Sequence, residues 1–245
     1  MRLSRPAAVG WLLTVAAFAV LIGSVAESST KDTAGSTGIS QALGRVGGHG
    51  SLVEIYLGLT FLVLALITGM VAAAQASAIR AEESDGHLEN LLVRPLSRTA
   101  WFAGRFGLSA LLLILAALVA GAGTWAGAAG QHTGVGLGPL LLAGLNIAPS
   151  ALFILGLGAL AFGIWPRRAA AVVYGYLAWA SLVELMGSVV HASHWVLDTS
   201  VFFHMVPAPA SSPDWDSAAV ITALGLACAL AGATAFSRRD ITAGG

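Results

Sequence analysis

Ionisable side chains are scarce in this sequence, and they are grouped. The chain carries 12 basic and 12 acidic residues, and seven of these 24 charges fall between Arg80 and Arg98, in the run RAEESDGHLENLLVRPLSR. Four of the seven are the acids Glu82, Glu83, Asp85 and Glu89. A second group is spaced by heptads: Glu184, His191 and Asp198, with His194 three residues beyond His191. On one continuous helix these would share a face, and imidazole with carboxylate is a zinc-type ligand set. The competing reading is a row of interfacial residues around an outer vestibule. Glu184 also stands alone as the one charge inside an apolar run. A carboxylate there faces a bundle interior or a water-filled cavity, or lies close enough to the interface to be hydrated. Phosphate-binding chemistry of the P-loop type is excluded: it needs a lysine after a glycine-rich loop. The single lysine, Lys31, instead follows Ser28-Ser29-Thr30.

The elements that position these groups are membrane helices. The 245 residues are 57% hydrophobic and 10% charged, against roughly 25% charged in an ordinary soluble domain. A helix crossing the ~30 Å hydrocarbon layer needs about 20 mostly apolar residues. Six runs qualify, at 7–26, 55–79, 106–130, 139–165, 169–190 and 217–236. The expected fold is therefore an all-α polytopic membrane protein, a single six-helix domain over 1–245. The fourth run contains Asn146 and Pro149, tolerable where neighbouring helices satisfy the freed backbone groups. The first has a rival reading as a cleaved signal peptide, with Ser24-Val25-Ala26 as the small-residue site.

Threading the runs alternately places ten basic residues on one side: Arg2, Arg5, Arg80, Arg94, Arg98, Arg105, Arg167, Arg168, Arg238 and Arg239. Only Lys31 and Arg45 fall on the other. Basic loops stay in the cytoplasm, so both termini are expected there, with external loops at 27–51 and 191–216. The first of these loops is rich in Gly, Ser and Thr and reads as flexible. In the second, Pro207, Pro209 and Pro213 preclude a continuous helix, and the apolar VFFHMV stretch is expected to dip into the outer membrane face or pack on the bundle. Glycines in the third and fourth spans, including Gly123 and Gly127 at small-xxx-small spacing, suit close helix approach within the bundle. A lone Cys228 precludes an intrachain disulfide, and no basic stripe offers a nucleic-acid surface.

The charged segment 80–98 reads as a cytoplasmic interfacial element. Gly86 breaks the second span's helix, Asp85 caps a short one, and Leu88, Leu91 and Leu92 give it an apolar side opposite Glu89. Arg94-Pro95 ends it, because the residue before proline avoids the α region. Four acids in eight residues are poorly placed against anionic lipid and well placed against a soluble protein.

This segment, E-E-x-x-G-x-L-E-x-L-L-x-R-P-L-S-R, closely resembles the hallmark of ABC-2 type transporter permeases. The ending Phe236-Ser237-Arg238-Arg239-Asp240-Ile241 is similar to that family's F-x-R-R-D-L terminus. The stretch Phe202, His204, Pro207, Pro209 followed by Asp214-Trp215 resembles actinobacterial drug and polyketide-antibiotic exporter permeases, whose second six-span half this chain matches. The resemblance implies the type V exporter fold in a bacterial plasma membrane, with a coupling helix before the third span and a broken external helical element before the sixth. It implies outward movement of a hydrophobic or amphiphilic drug, antibiotic or lipid, driven by a separate cytosolic ATPase dimer that binds ATP and Mg. This chain would then be a permease subunit, not an enzyme, holding no cofactor or metal and completed by a second six-helix half. Coupling falls to Glu82, Glu83, Gly86, Leu88, Glu89, Arg94 and Pro95. Glu184 falls in a substrate pathway lined by spans two and five. The alternatives are an ATP-independent carrier or channel, or a membrane metalloenzyme using His191 and His194.

Overall fold

A computed structural model describes residues 4–34, 51–84, 98–131, 133–186 and 193–238. Among these residues there is no strand. The chain forms α1 (Ser4–Ala34), α2 (Leu52–Ser84), α3 (Arg98–Ala128), α4 (Leu137–Leu145), α5 (Ala148–Ile164), α6 (Ala169–Met186), α7 (His194–Leu197) and α8 (Trp215–Arg238). Six spans are long and apolar enough to cross a membrane, α4 and α5 together making the fourth.

Helix ends follow local chemistry more than hydropathy. α1 continues past Ala26 to Ala34, and its polar side chains there bond back to its own carbonyls. Ser28 Oγ donates to the Val25 carbonyl at 3.0 Å, and Thr30 Oγ1 lies 3.0 Å from that of Ala26. α2 begins with a reciprocal capping box: the Ser51 amide donates to Glu54 Oε2 at 2.7 Å, and the Glu54 amide to Ser51 Oγ at 3.3 Å. Glu54 thus belongs to the first turn of the helix, satisfying donors with no intrahelical acceptor. At its other end α2 runs through Arg80 to Ser84.

The fourth span is broken where Asn146 and Ile147 separate α4 from α5. The Ile147 amide turns back to the Gly144 carbonyl at 3.0 Å. Pro149 sits in the first turn of α5, where a missing N–H costs nothing because that donor has no helical acceptor.

Packing is organised by glycine. A β-carbon on Gly156 or Gly163 would overlap the backbone of Gly225 or Gly232, so α5 and α8 run parallel in backbone contact. Gly127 meets Val20 and Ser24, and Gly23 meets Thr124 and Ala128, which holds α1 parallel to α3. Gly121 and Gly144 set α4 antiparallel to α3. The glycines at 123, 127, 156 and 163 therefore serve contacts inside the bundle. Between the two pairs lies α2, with Leu57, Leu64, Ala72 and Ala76 buried. α1 contributes Val15, Ala19, Ile22 and Ala26 to the same core.

Consecutive spans alternate in direction, which gives the bundle two unlike ends. Arg105, Arg167, Arg168 and Arg238 lie at one, the basic end; Glu54, Asp198, Asp214 and Asp216 lie at the other, the distal end. An aromatic cluster closes the basic end. Phe236 stacks at 5.5 Å from Phe102, 5.6 Å from Phe162 and 6.0 Å from Trp101, which ties the start of α3 to the ends of α5 and α8.

Gly156→Val and Gly225→Val should each force α5 and α8 apart, an overpacking that typically costs about 1–3 kcal/mol. In detergent the apparent Tm of both variants should fall, whereas Gly104→Ala, where a β-carbon meets nothing within 4 Å, should leave it unchanged or raised.

Candidate functional site

The distal end is built around a segment that re-enters the bundle. After α7 the chain turns inward at residues 199–204, leaves over Pro207 to Ala210, and reaches α8. Val201, Phe202, Ala208 and Ala210 are buried, and Phe202 is only 1% exposed. Its ring approaches Gly69 together with Leu177 and Ile154; a β-carbon on Gly69 would stand 3.4 Å from Phe202 Cζ. Gly69 lies near the midpoint of α2, so Phe202 reaches the centre of the bundle. Non-helical backbone at that depth must have its polar groups satisfied by protein.

Polar side chains at intervals along the spans do this. The Tyr176 hydroxyl donates to the Thr199 carbonyl at 3.2 Å and accepts from the Val201 amide at 3.2 Å. Trp179 Nε1 donates to Thr199 Oγ1 at 2.9 Å. Ser200, fully buried, accepts from the Phe202 amide at 3.3 Å and donates to the Ala180 carbonyl of α6 at 3.1 Å. Asn146 Nδ2 donates to the Val206 carbonyl at 2.9 Å. The residue that interrupts the fourth span is therefore the one that holds the segment's outgoing limb. Tyr176, Trp179, Thr199 and Ser200 carried no sequence signal of this role. Asn146 carried one, as a lone amide in an apolar run.

Beside the segment a cleft of about 440 Å³ opens between α5, α6 and α8. Its apolar lining is Phe153 and Tyr176 on one wall, their rings 5.6 Å apart, and Val220, Ile221 and Leu224 on the other; Val220 and Leu224 are 60% and 53% exposed, so the cleft is open along that side. Its mouth carries Asp198, His204 and Asp216. Next to the mouth, Asp214 caps α8. It accepts from the Ser217 hydroxyl at 2.6 Å, from the Ser217 amide at 3.2 Å and from the Asp216 amide at 3.1 Å. These bonds, the Ser217 hydroxyl first, hold its carboxyl below the usual carboxylate range.

The residues singled out from sequence are not brought together. Glu184 lies near the end of α6, half-buried, and its Oε2 is sealed with no hydrogen-bond partner among the described residues. It does not line the cleft. The heptad that would align Glu184 with Asp198 is not one helix, since the backbone is extended at Ser193 and α7 starts anew at His194. His194 Nδ1 stands 2.6 Å from Asp198 Oδ2 on the surface, and His204 Nε2 is 3.3 Å from the Asp198 carbonyl. Among the described residues no three His, Cys, Asp or Glu side chains group as a metal site; His191 lies outside them. α2 and α6 do face one another, at Gly69 and Leu177. Of the acidic segment, Glu82 and Glu83 fall in the last turn of α2. Gly86, Leu88, Glu89, Arg94 and Pro95 lie outside the described residues.

Six spanning helices and an inward-folded distal segment define a polytopic α-helical membrane protein. The chain belongs to the family described as multidrug efflux system permease Rv1217c, C-terminal domain, whose model matches residues 1–237. It is also 25% identical over 249 residues to the multidrug efflux system permease protein Rv1217c of Mycobacterium tuberculosis. That alignment takes in 98% of this chain but 44% of the relative's length.

Asn146→Leu should leave the Val206 carbonyl with the Ala208 amide, 2.8 Å away, as its remaining donor, a loss of about 0.5–1.5 kcal/mol for one hydrogen bond. Amide exchange by mass spectrometry should then accelerate across residues 201–208, while the α5–α8 contact stays protected.

Proposed function

We propose that this chain is one six-helix half of an ATP-driven efflux permease, exporting hydrophobic or amphiphilic compounds with energy from a separate cytosolic ATPase dimer. The observation that carries this reading is the family match over residues 1–237, in a chain whose one lysine is not in a P-loop. The relative's greater length supports a second six-helix half, either another copy of this chain or a homologous one, completing the pathway.

The arginines of the basic end support a cytoplasmic placement of both termini. The acidic segment, which starts within the last turns of α2, is then on the cytoplasmic side, where an ATPase can reach it. It leads directly into α3, whose Trp101 and Phe102 sit in the aromatic cluster with Phe162 and Phe236. A push on residues 80–98 would be delivered at the root of α3 and shared with α5 and α8 through those rings. In this reading Phe236, the first residue of the F-x-R-R-D ending, is a packing residue that passes the push to the last span.

Glu184 is the pathway candidate on this reading. An acceptor oxygen with no donor among the described residues is costly to bury, and a donor from the second half or from a passing cationic substrate would relieve that cost. An ATP-independent carrier would place several ionisable groups within the spans, and the sequence offers Glu184 alone.

Charge reversal tests the coupling. Glu83→Arg with Glu89→Arg should weaken co-purification with the ATPase or uncouple substrate-stimulated hydrolysis, since truncating one side of a desolvated charge pair costs about 2–5 kcal/mol. Wild-type ATPase binding and stimulation in nanodiscs would refute the coupling role. For the pathway, Glu184→Gln should change transport rate or substrate preference with ATPase assembly intact; unchanged transport of several cationic and neutral substrates would make Glu184 an interfacial residue only.

A further inference from the structure

We propose that the distal cleft between α5, α6 and α8 is a binding site for a single-chain cationic amphiphile. Its volume, about 440 Å³, falls in the ~300–1,000 Å³ range of small-molecule sites, and its two regions divide by chemistry. The wall of Phe153, Ile221 and Leu224 is apolar. It runs from Asp216 to Leu224, eight residues of α8 or roughly 12 Å of helix, which accommodates an extended alkyl tail. The mouth offers two carboxylates, Asp198 and Asp216, and no lysine or arginine lines the cleft.

The charge pattern selects the headgroup. His194 engages Oδ2 of Asp198, and Oδ1 has no hydrogen-bond partner among the described residues. Asp216 presents its carboxylate from the first turn of α8, where Asp214 already caps the helix amides. The positive helix end is thereby met by Asp214, and the charge of Asp216 is left to face the mouth. An anionic head would meet two like charges there, and a neutral head would gain neither. A quaternary or primary ammonium would sit between the two carboxylates with the rings of Phe153 and Tyr176 below it, as an apolar slot with acids at its rim requires.

The chain in phosphatidylcholine nanodiscs provides the test, with tritiated dodecyltrimethylammonium as the probe and empty nanodiscs as the background. Saturable binding should appear, and a neutral dodecyl ether and dodecanoate should fail to displace it. Asp198→Asn with Asp216→Asn should weaken it about tenfold, as the loss of two partly exposed charge pairs predicts. Asp216→Asn alone, which leaves the His194–Asp198 contact in place, should weaken it to an intermediate degree. Leu224→Trp, which crowds the open side of the tail slot, should weaken it. Equal displacement by the neutral ether, or wild-type binding in the double Asn variant, overturns the proposal. So does full displacement by added phosphatidylethanolamine, which would make the occupant bilayer lipid. The measurement involves neither an ATPase nor transport, so its failure leaves the export reading standing, and failure of that reading leaves this site standing.

Discussion

The contact between the backbones of α5 and α8 is the constraint on which the rest of the bundle rests. In lipid, apolar side chains gain little by leaving one greasy surface for another, and close packing takes over as the source of cohesion. Gly156 against Gly225 and Gly163 against Gly232 bring two helix axes as near as main chains allow. That approach fixes the register of α8, and with it two features at opposite ends. At the basic end it sets Phe236 among Phe102 and Phe162. At the distal end it holds α8 on α5 rather than on α6, and the cleft lies between them.

The re-entrant segment depends on a second constraint, the need to satisfy main-chain groups away from water. An apolar ring such as Phe202 gains from burial, but it carries its own amide and carbonyl groups and those of its neighbours inward. The hydroxyls of Tyr176 and Ser200 and the amide of Asn146 meet them, and the indole of Trp179 holds the Thr199 side chain beside them. The break in the fourth span is part of this arrangement: the turn that ends α4 exposes Asn146 toward the segment.

Much of the fold was legible because membrane spans announce themselves by length and composition, and basic residues by their distribution. The packing role of Gly123, Gly127, Gly156 and Gly163 was legible as small residues in apolar helices. Gly225 and Gly232 gave no separate signal, since only their partners make them special. The break at Asn146 was half-visible: the amide and Pro149 marked the place, but a polar residue in a span can equally be absorbed without a break. Least legible was the distal network. Tyr176 and Thr199 are 23 residues apart and Asn146 and Val206 are 60 apart, and no periodicity in either helix records a partner so far along the chain. The heptad of Glu184, His191 and Asp198 failed for the opposite reason, a regular spacing that presumes a single helix where the chain forms two.

The parallel pairing of non-adjacent spans also has a consequence for how the protein is made. Gly225 follows Gly156 by 69 residues, and Gly232 follows Gly163 by the same interval. At a synthesis rate of ~5–20 residues per second, α5 is in existence for roughly 3–14 s before its partner emerges from the ribosome. Throughout that time its glycine groove is open to lipid or to any other small-residue helix in the neighbourhood, α1 and α3 having already satisfied one another. α8 is therefore the helix that closes this core, and a chain interrupted before it presents the membrane with an adhesive main-chain surface that the complete bundle conceals.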